Sequence, residues 1–502
     1  MRKCLKKMLG LGATIIMYAV LLAYQPIDVY GSNILYEYED NNSYEAANTI
    51  NLGDSMSGML ETGDDVDYYQ ITAPASGKIE LNFCHTYQDS GADWLVKVYC
   101  YNNGEYNELS STTVDLNANE RIALPYIGAV QNGIYYVKVQ RCCSGIEGIN
   151  YAIQTAFLES GYYEKETNDS YNAATDMELN REYSGTINNF YDSDFYRITA
   201  PLNGRIELDF FHIYKDSGAD WLVKIYMYDN GEYTELSSVT IDLNANERIS
   251  LPFIGAKKDG VYYVKVERCC SGVEGENYTI KTKFNASDYI ERENNDTYSE
   301  ATDLLFEHSY SGVINNFYDN DYYKIVAPAN GVMNLTFIHK YINSGSDWLV
   351  RVYRYINGEY RELSNTTIDL NTDNIINLPK VQLNKNGVYY VKVERCCSGV
   401  EGIPYSLKAK YNANAPANLK ATLNRNSVRL VWQGNKDANG YEVYYKVGTS
   451  GKYKKLSTTN KTIYTYKKLS KGKTYSFKVR AYQKINGKMY YSSFVSAKTV
   501  RV

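Results

Sequence analysis

The sequence predicts an all-β chain of tandem antiparallel β-sandwich or jelly-roll domains, closed by one smaller sandwich. Three observations carry this. Marker residues recur at a fixed interval: Trp94, Trp221 and Trp348 stand 127 apart, as do His85, His212 and His339. Apolar and polar residues alternate through short runs, the period-2 pattern of half-buried strands. Clusters of Gly, Asn and Asp separate those runs, as in Tyr228-Asp-Asn-Gly-Glu. A 127-residue unit is too long for a solenoid repeat, so each copy is expected to be a domain with its own core.

Taken from the N-terminus, residues 1–31 read as an export signal. Arg2, Lys3, Lys6 and Lys7 precede an almost wholly apolar run from Met8 to Tyr24, and a cut is expected ahead of Ser32. The alternative is an uncleaved anchor, because that run approaches the length that crosses a bilayer. No later segment is long and apolar, so no membrane span is expected after cleavage, and the mature chain is expected outside the cell. Copies are expected at 32–160, 161–287 and 288–413, with the small sandwich at 414–502.

Within a copy, Gly204-Arg-Ile-Glu-Leu-Asp-Phe places Ile206, Leu208 and Phe210 on one face. Asp220-Trp-Leu-Val-Lys-Ile-Tyr sends Trp221, Val223 and Ile225 inward. Gly260-Val-Tyr-Tyr-Val-Lys-Val does the same with Tyr262, Val264 and Val266. Only Ser170 to Thr175 looks helical. Tyrosine is extreme, at 53 residues against 13 Phe and 4 Trp, which suits half-buried sheets and adhesive surfaces alike.

Each copy opens with Glu-x-Glu-x-Asn-(Asn/Asp)-(Ser/Thr), continues to an Asp-x-Asp followed by aromatics, then Asp-Trp-Leu-Val, Gly-(Ile/Val)-Tyr-Tyr-Val-Lys-Val and a Tyr near the end. Over nearly the whole copy this resembles the bacterial pre-peptidase C-terminal domain, a family that includes the collagen-binding modules of clostridial collagenases. The resemblance implies a calcium-braced sandwich. Calcium takes six to eight oxygens from carboxylates and amide carbonyls on an irregular segment. The first copy offers Glu37, Glu39, Asn41, Asn42, Asp65 and Asp67. Matching sets are Glu164, Glu166, Asn168, Asp169, Asp192 and Asp194 in the second copy, and Glu291, Glu293, Asn295, Asp296, Asp319 and Asp321 in the third. The bland alternative is a helix cap followed by a solvated turn.

Eight cysteines follow the signal, an even number that suits an oxidising compartment. Cys84 and Cys100 occur only in the first copy and read as a local disulfide. Cys142-Cys143, Cys269-Cys270 and Cys396-Cys397 are adjacent pairs. A vicinal bridge would force a distorted turn there. Strand alternation, with one sulfur in and one out, and cross-linking between copies are the other options. His85, His212 and His339 continue the inward alternation of their strands and read as hydrogen-bonded strand-end residues rather than zinc ligands.

Residues 415–502 resemble a bacterial fibronectin type III domain, an Ig-like sandwich. The resemblance rests on Pro416, on Trp432 after Val428-Arg-Leu-Val, on Gly440-Tyr-Glu-Val-Tyr-Tyr, on Leu469 and on Tyr475-Ser-Phe-Lys-Val-Arg-Ala-Tyr. Trp432 is expected to plug the core and Tyr475 to form the tyrosine corner. The charge here is lopsided: 19 Lys+Arg against Asp437 and Glu442, a net of +17. Residues 32–414 carry 30 basic and 55 acidic residues, a net of -25. Such a tail suits an anionic cell-wall polymer or the acidic repeats themselves, with simple solubility as the alternative. No nucleic-acid motif accompanies the charge.

His-Glu-x-x-His, Gly-x-Ser-x-Gly, P-loop and dinucleotide motifs are absent, and only four histidines exist. The expectation is a non-enzymatic, secreted or cell-surface binding protein that uses its copies multivalently on an extracellular polymer, a protein such as collagen or a polysaccharide. Outward Leu95, Lys97, Tyr99 and Tyr101 form a candidate contact face, repeated as Leu222, Lys224, Tyr226, Tyr228 and as Leu349, Arg351, Tyr353, Tyr355. The competing expectations are a ligand-free cell-wall or surface spacer, and an accessory subunit of a secreted hydrolase.

Overall fold

The computed structural model describes residues 33–502 except 144, 246, 270, 271, 373, 397 and 398. The export signal, Cys270 and Cys397 thus lie outside the described residues. Among the described residues there is no helix; every regular element is a strand. The expected helical stretch from Ser170 is a turn closed by a bond from the Ala173 amide to the Ser170 carbonyl, 3.1 Å. Six residues cannot repay helix nucleation without packing support. Among the described residues, no helix is long and apolar enough to cross a membrane.

The chain divides into two compact units. One comprises Met1–Thr175, Tyr183–Asp194 and Ser271–Tyr278; the other comprises Asp176–Glu182, Phe195–Cys270 and Thr279–Val502.

The first unit contains one whole sandwich. Its strands are β1 (Ile34–Tyr36), β2 (Asn48–Thr49), β3 (Ser55–Met59), β4 (Val66–Thr72), β5 (Gly77–His85) and β6 (Asp93–Asn102). They continue as β7 (Glu105–Asp115), β8 (Arg121–Ala123), β9 (Ile127–Ala129), β10 (Ile134–Arg141) and β11 (Asn150–Glu159). One sheet has the order β1-β3-β11-β5-β8, with β9 also on β5; the other runs β2-β4-β10-β6-β7. Pairing is antiparallel except at two edges, where β1 lies parallel to β3 and β2 parallel to β4. Alternation along β5 and β6 sends Ile79, Leu81, Phe83, Trp94, Val96 and Val98 between the sheets, where they are buried with Tyr69, Tyr135 and Tyr151. The β6–β7 hairpin turns at Asn103-Gly104, both at positive φ, as an Asn-Gly hairpin requires.

In the second unit, Asp220–Asp229 pairs with Glu232–Asp242 and Val261–Arg268. Gly204–His212 pairs with Arg248–Ser250 and Ile254–Ala256. The residues expected to point inward, Ile206, Leu208, Phe210, Trp221, Val223, Ile225, Tyr262, Val264 and Val266, are all buried. The same two-sheet pattern recurs from Thr302–Asp303 to Pro404–Asn412, around Trp348, Tyr323, Tyr389 and Tyr405. The C-terminal sandwich sets a three-stranded sheet (Ala417–Asn424, Ser427–Gln433, Ile463–Tyr466) against a five-stranded one built on Gly440–Val447 and Thr474–Ile485. Trp432 lies in its core, and the Tyr475 hydroxyl accepts the Ser470 amide at 2.8 Å, the expected corner.

Candidate cation site

At the head of each copy, the Glu-x-Glu segment meets the start of the strand that carries the second Asp of Asp-x-Asp. One ligand atom each of Glu37, Glu39 and Asp67 lies within 4.8 Å of the others; Glu164, Glu166 and Asp194 match, as do Glu291, Glu293 and Asp321. The peptide bond after the second Glu is cis in all three copies.

The local fold fixes one oxygen of several acids and leaves others aimed inward. Asp192 accepts the Asn188 amide and Asp319 the Asn315 amide, both at 2.5 Å; Asp65 accepts the Glu61 amide at 2.6 Å. Glu291 accepts the Val313 amide at 2.8 Å, and Glu37 the Met59 amide at 2.5 Å. The first acid of the motif is therefore both a tie to the next strand and a wall of the cluster.

The fourth motif residue behaves differently. Asn42 and Asp296 each accept, at 2.8 Å, the backbone amide of Val66 and Asn320 respectively; Asp169 accepts that of Ser193 at 3.2 Å. One oxygen of each thus ties the opening segment to the first amide of the strand 24 residues on, a bond unlike the local helix cap of the bland alternative.

Buried acceptors left without hydrogen bonds mark the centre. In the third copy they are Oδ1 of Asn295, Asn315, Asp319 and Asp321 and Oε1 of Glu293. In the second they are Oδ1 of Asn168, Asp192 and Asp194, and in the first Oδ1 of Asn41 and Asp67. Orphaned buried acceptors are costly, and several converging on one point need a common partner. Burial, reinforced by neighbouring carboxylates, pushes Glu164, Glu166, Glu291, Glu293 and Asp319 far above the usual carboxyl range. Burial likewise raises Asp67 to about 8 and Asp321 to about 7, against lowering bonds from Tyr151 and from Glu291 and Tyr405 respectively. A hard cation would satisfy the oxygens and cancel the repulsion together. The donor set is all oxygen, which fits calcium rather than zinc.

Sequence reasoning missed the tyrosines behind the acids. The Tyr151 hydroxyl donates to Asp67; Tyr278 donates to Asp194 at 2.5 Å and Tyr405 to Asp321 at 2.6 Å. Tyr151 also meets Tyr69 at 2.7 Å, and Tyr405 meets Tyr323 at 2.8 Å. These hydroxyls orient the carboxylates. The signal was the recurring Tyr near the end of each copy.

The cysteines correct one expectation. Cys84 and Cys100 are both unbridged. Cys84 leaves β5 on the side away from Phe83 and His85, whereas Cys100 follows Trp94, Val96 and Val98 into the core, so the two sulfurs face different ways. Cys142 and Cys143 are also unbridged, with sulfurs 3.7 Å apart and both side chains exposed. The histidines lie tilted against tryptophan, with ring centroids 5.2–5.3 Å apart, and their Nδ1 atoms face the next residue's carbonyl.

The outer face of the β4-β10-β6-β7 sheet carries packed tyrosines: Tyr44 stacks on Tyr106 at 3.6 Å and meets Tyr68, Tyr99 and Tyr136 edge-on. Tyr298 does the same with Tyr360 at 3.5 Å, and with Tyr322, Tyr353 and Tyr390. Of the candidate contact face, Tyr101, Tyr228 and Tyr355 are exposed and the remainder are half-buried.

Comparison with known proteins matches residues 414–497 to the fibronectin type III domain. Collagenase ColT of Clostridium tetani is 27% identical over 171 residues, covering 33% of this chain and 16% of its own length. The chain thus spans less than a fifth of that relative. Among solved structures, an Fn3-like protein from Clostridium thermocellum is 28% identical over 16% of this chain and 88% of its own, with a TM-score of 0.15. A two-domain fibronectin type III segment of chicken tenascin is 15% identical over 35% of this chain and 95% of its own, with a TM-score of 0.19. The chain is therefore an array of all-β sandwiches that carries a fibronectin type III domain at residues 414–497.

Proposed function

We propose that this is an extracellular, non-catalytic adhesion protein whose repeats are braced by calcium and grip a polymer through their tyrosine-covered sheet faces. The tyrosine clusters carry the reading. A cluster of aromatic rings edged by Lys97 or Arg351 presents large amphipathic area at low entropic cost, a surface suited to a protein or polysaccharide strand. Repetition turns weak contacts into avidity when one polymer spans several copies. Calcium would sit among Glu291, Glu293, Asn295, Asp319 and Asp321, or their equivalents, and lock the head of each repeat to its second loop.

The basic C-terminal sandwich adds a second grip. Lys478 lies 3.8 Å from the Phe494 ring and 4.2 Å from Tyr453, and Arg480 lies 4.0 Å from Tyr491. Cations interleaved with aromatics suit an anionic wall polymer. The spacer reading has one point in its favour, namely the backbone bonds from Glu166 to Gly128 and from Glu293 to Gly255, which join the head of one copy to the copy before it.

Retention of the full chain on collagen and on wall polysaccharide tests the proposal. Binding is expected in calcium, with stepwise loss when Tyr106→Ala and Tyr360→Ala are introduced singly and then together. Thermal melts should show a higher transition in calcium than in chelator. Retention indifferent to both tyrosines would discard the adhesive face, and melts indifferent to chelator would discard the brace.

A further inference from the structure

The second and third acidic clusters do not stand alone; each is closed by the preceding repeat. The Glu166 amide donates to the Gly128 carbonyl at 2.9 Å, and the Glu293 amide to the Gly255 carbonyl at 2.8 Å. Gly128 and Gly255 lie inside the short strands Ile127–Ala129 and Ile254–Ala256 of the repeat before. A Cβ on Gly128 would fall 2.3 Å from the Glu164 carbonyl oxygen, and one on Gly255 would fall 2.2 Å from that of Glu291. Backbone atoms make both clashes, so no rotamer change relieves them.

A second contact flanks the first. Asn189 reaches back to the Leu109 carbonyl at 2.7 Å, and Asn316 to that of Leu236 at 2.8 Å. Phe253 of the earlier repeat packs with Ile290 and Val313 of the later one. The two ends of the array lack these features. Where the second and third copies have Asn188-Asn189-Phe190 and Asn315-Asn316-Phe317, the first has Glu61-Thr62-Gly63. Where the first two copies have Gly128 and Gly255, the third has Gln382; Tyr126 and Phe253 give way to Lys380. Leu363 is 41% exposed where Leu109 and Leu236 are buried. Burial of the clusters follows the same division. Glu164, Glu166, Glu291 and Glu293 are buried, whereas Glu37 is half-buried and Glu39 exposed.

We propose that the second and third cation sites are composite, each finished by the glycine strand of the preceding repeat. Cation occupancy and the docking of consecutive repeats are then coupled, and the first site is open and weaker. This rests on the cation reading above. Its independent support is the set of fully buried acceptors without partners, Asn168 Oδ1, Asp194 Oδ1, Asn295 Oδ1 and Asp321 Oδ1, aimed into clusters that the neighbour seals. Coupling of this kind is reciprocal: whatever factor docking adds to cation affinity, the cation adds to docking. Water exclusion by the neighbour strengthens the ion's attraction for its carboxylates.

Calorimetric titration of the calcium-stripped full chain with Ca2+ tests this. Two tighter sites and one weaker site are expected. Gly255→Val should weaken one tight site by about tenfold or more, the scale of lost outer-shell support, and spare the other two. Gln382→Val, at the equivalent position with no following repeat, should change none. Hydrogen exchange of the unaltered chain supplies a readout that does not depend on variant folding. The Glu166 and Glu293 amides should exchange more slowly with Ca2+ than with chelator. Three equal sites unmoved by Gly255→Val, or amides indifferent to Ca2+ while calcium still binds, would overturn the composite site alone. No heat of binding at any site would overturn the underlying cation reading instead.

Discussion

Glu442 shows how a single buried charge is held in this protein. It lies on the strand Gly440–Val447, between the core residues Tyr441 and Val443, bonded to Lys455 at 2.5 Å, to Arg480 at 2.8 Å and to the Tyr444 hydroxyl at 3.2 Å. Burial raises its carboxyl, but the bonds from Lys455 and Arg480 outweigh that, so the net shift is downward. A depressed carboxyl contributes stability above its unfolded value, near 4.3, and loses it as pH falls through the folded value. Glu442→Gln is therefore expected to destabilise the C-terminal sandwich by about 2 kcal/mol near neutrality, the worth of a charge-assisted bond. That difference should shrink as the medium is acidified below about pH 4. Exchange rates of amides in Thr474–Ile485 measure it without interference from the other sandwiches. Glu442 could be recognised in the sequence as one of two acids in a basic tail, but its two cationic partners come from other strands.

At the scale of elements, glycines at similar-looking turns and strands do different work. Gly231 follows Asn230 in the hairpin after Asp220–Asp229, at φ +91, and a Cβ there would meet nothing. Gly231→Ala should cost only the left-handed backbone penalty, about 1 kcal/mol, seen as faster exchange of that hairpin's amides with calcium affinity unchanged. Gly255 has ordinary backbone and a crowded Cβ, so its substitution acts on packing instead. The Asn-Gly turn is legible in the sequence because local backbone geometry alone demands it. Gly255 was visible only as a glycine inside a strand, a sign of close backbone approach without the identity of what approaches. The Cys84 and Cys100 bridge failed for a reason the sequence did hold. Cys84 is out of phase with Phe83 and His85, and Cys100 is in phase with Trp94 and Val98, so alternation sends one outward and one inward.

For the whole molecule, opposite charge on body and tail separates two kinds of attachment. On the proposed function, calcium-braced sheet faces would make short-range aromatic contacts, which salt hardly touches. The C-terminal sandwich, at +17, acts through a field that is screened within about 8 Å at physiological ionic strength. The chain bound to a polyanionic support is therefore expected to elute progressively as sodium chloride is raised. Retention on a neutral polysaccharide or collagen should hold until calcium is chelated. A salt series on both supports checks this, and equal salt sensitivity on the two would mean that one electrostatic surface does all the binding.

The sequence by itself determined the all-β class, the inward face of each main strand, the Asn-Gly turns, the tyrosine corner and the acids that gather at the head of every repeat. These depend on period-2 alternation, local backbone preference and a repeat that displays the same residues three times. Only the tertiary structure decided which oxygens are left unpaired at the cluster, which tyrosines stand behind it, and that Gly128 and Gly255 of one repeat bond to the Glu166 and Glu293 amides of the next. Those relations join residues tens of positions apart or in neighbouring repeats, and periodicity records what recurs in a chain rather than what meets across it.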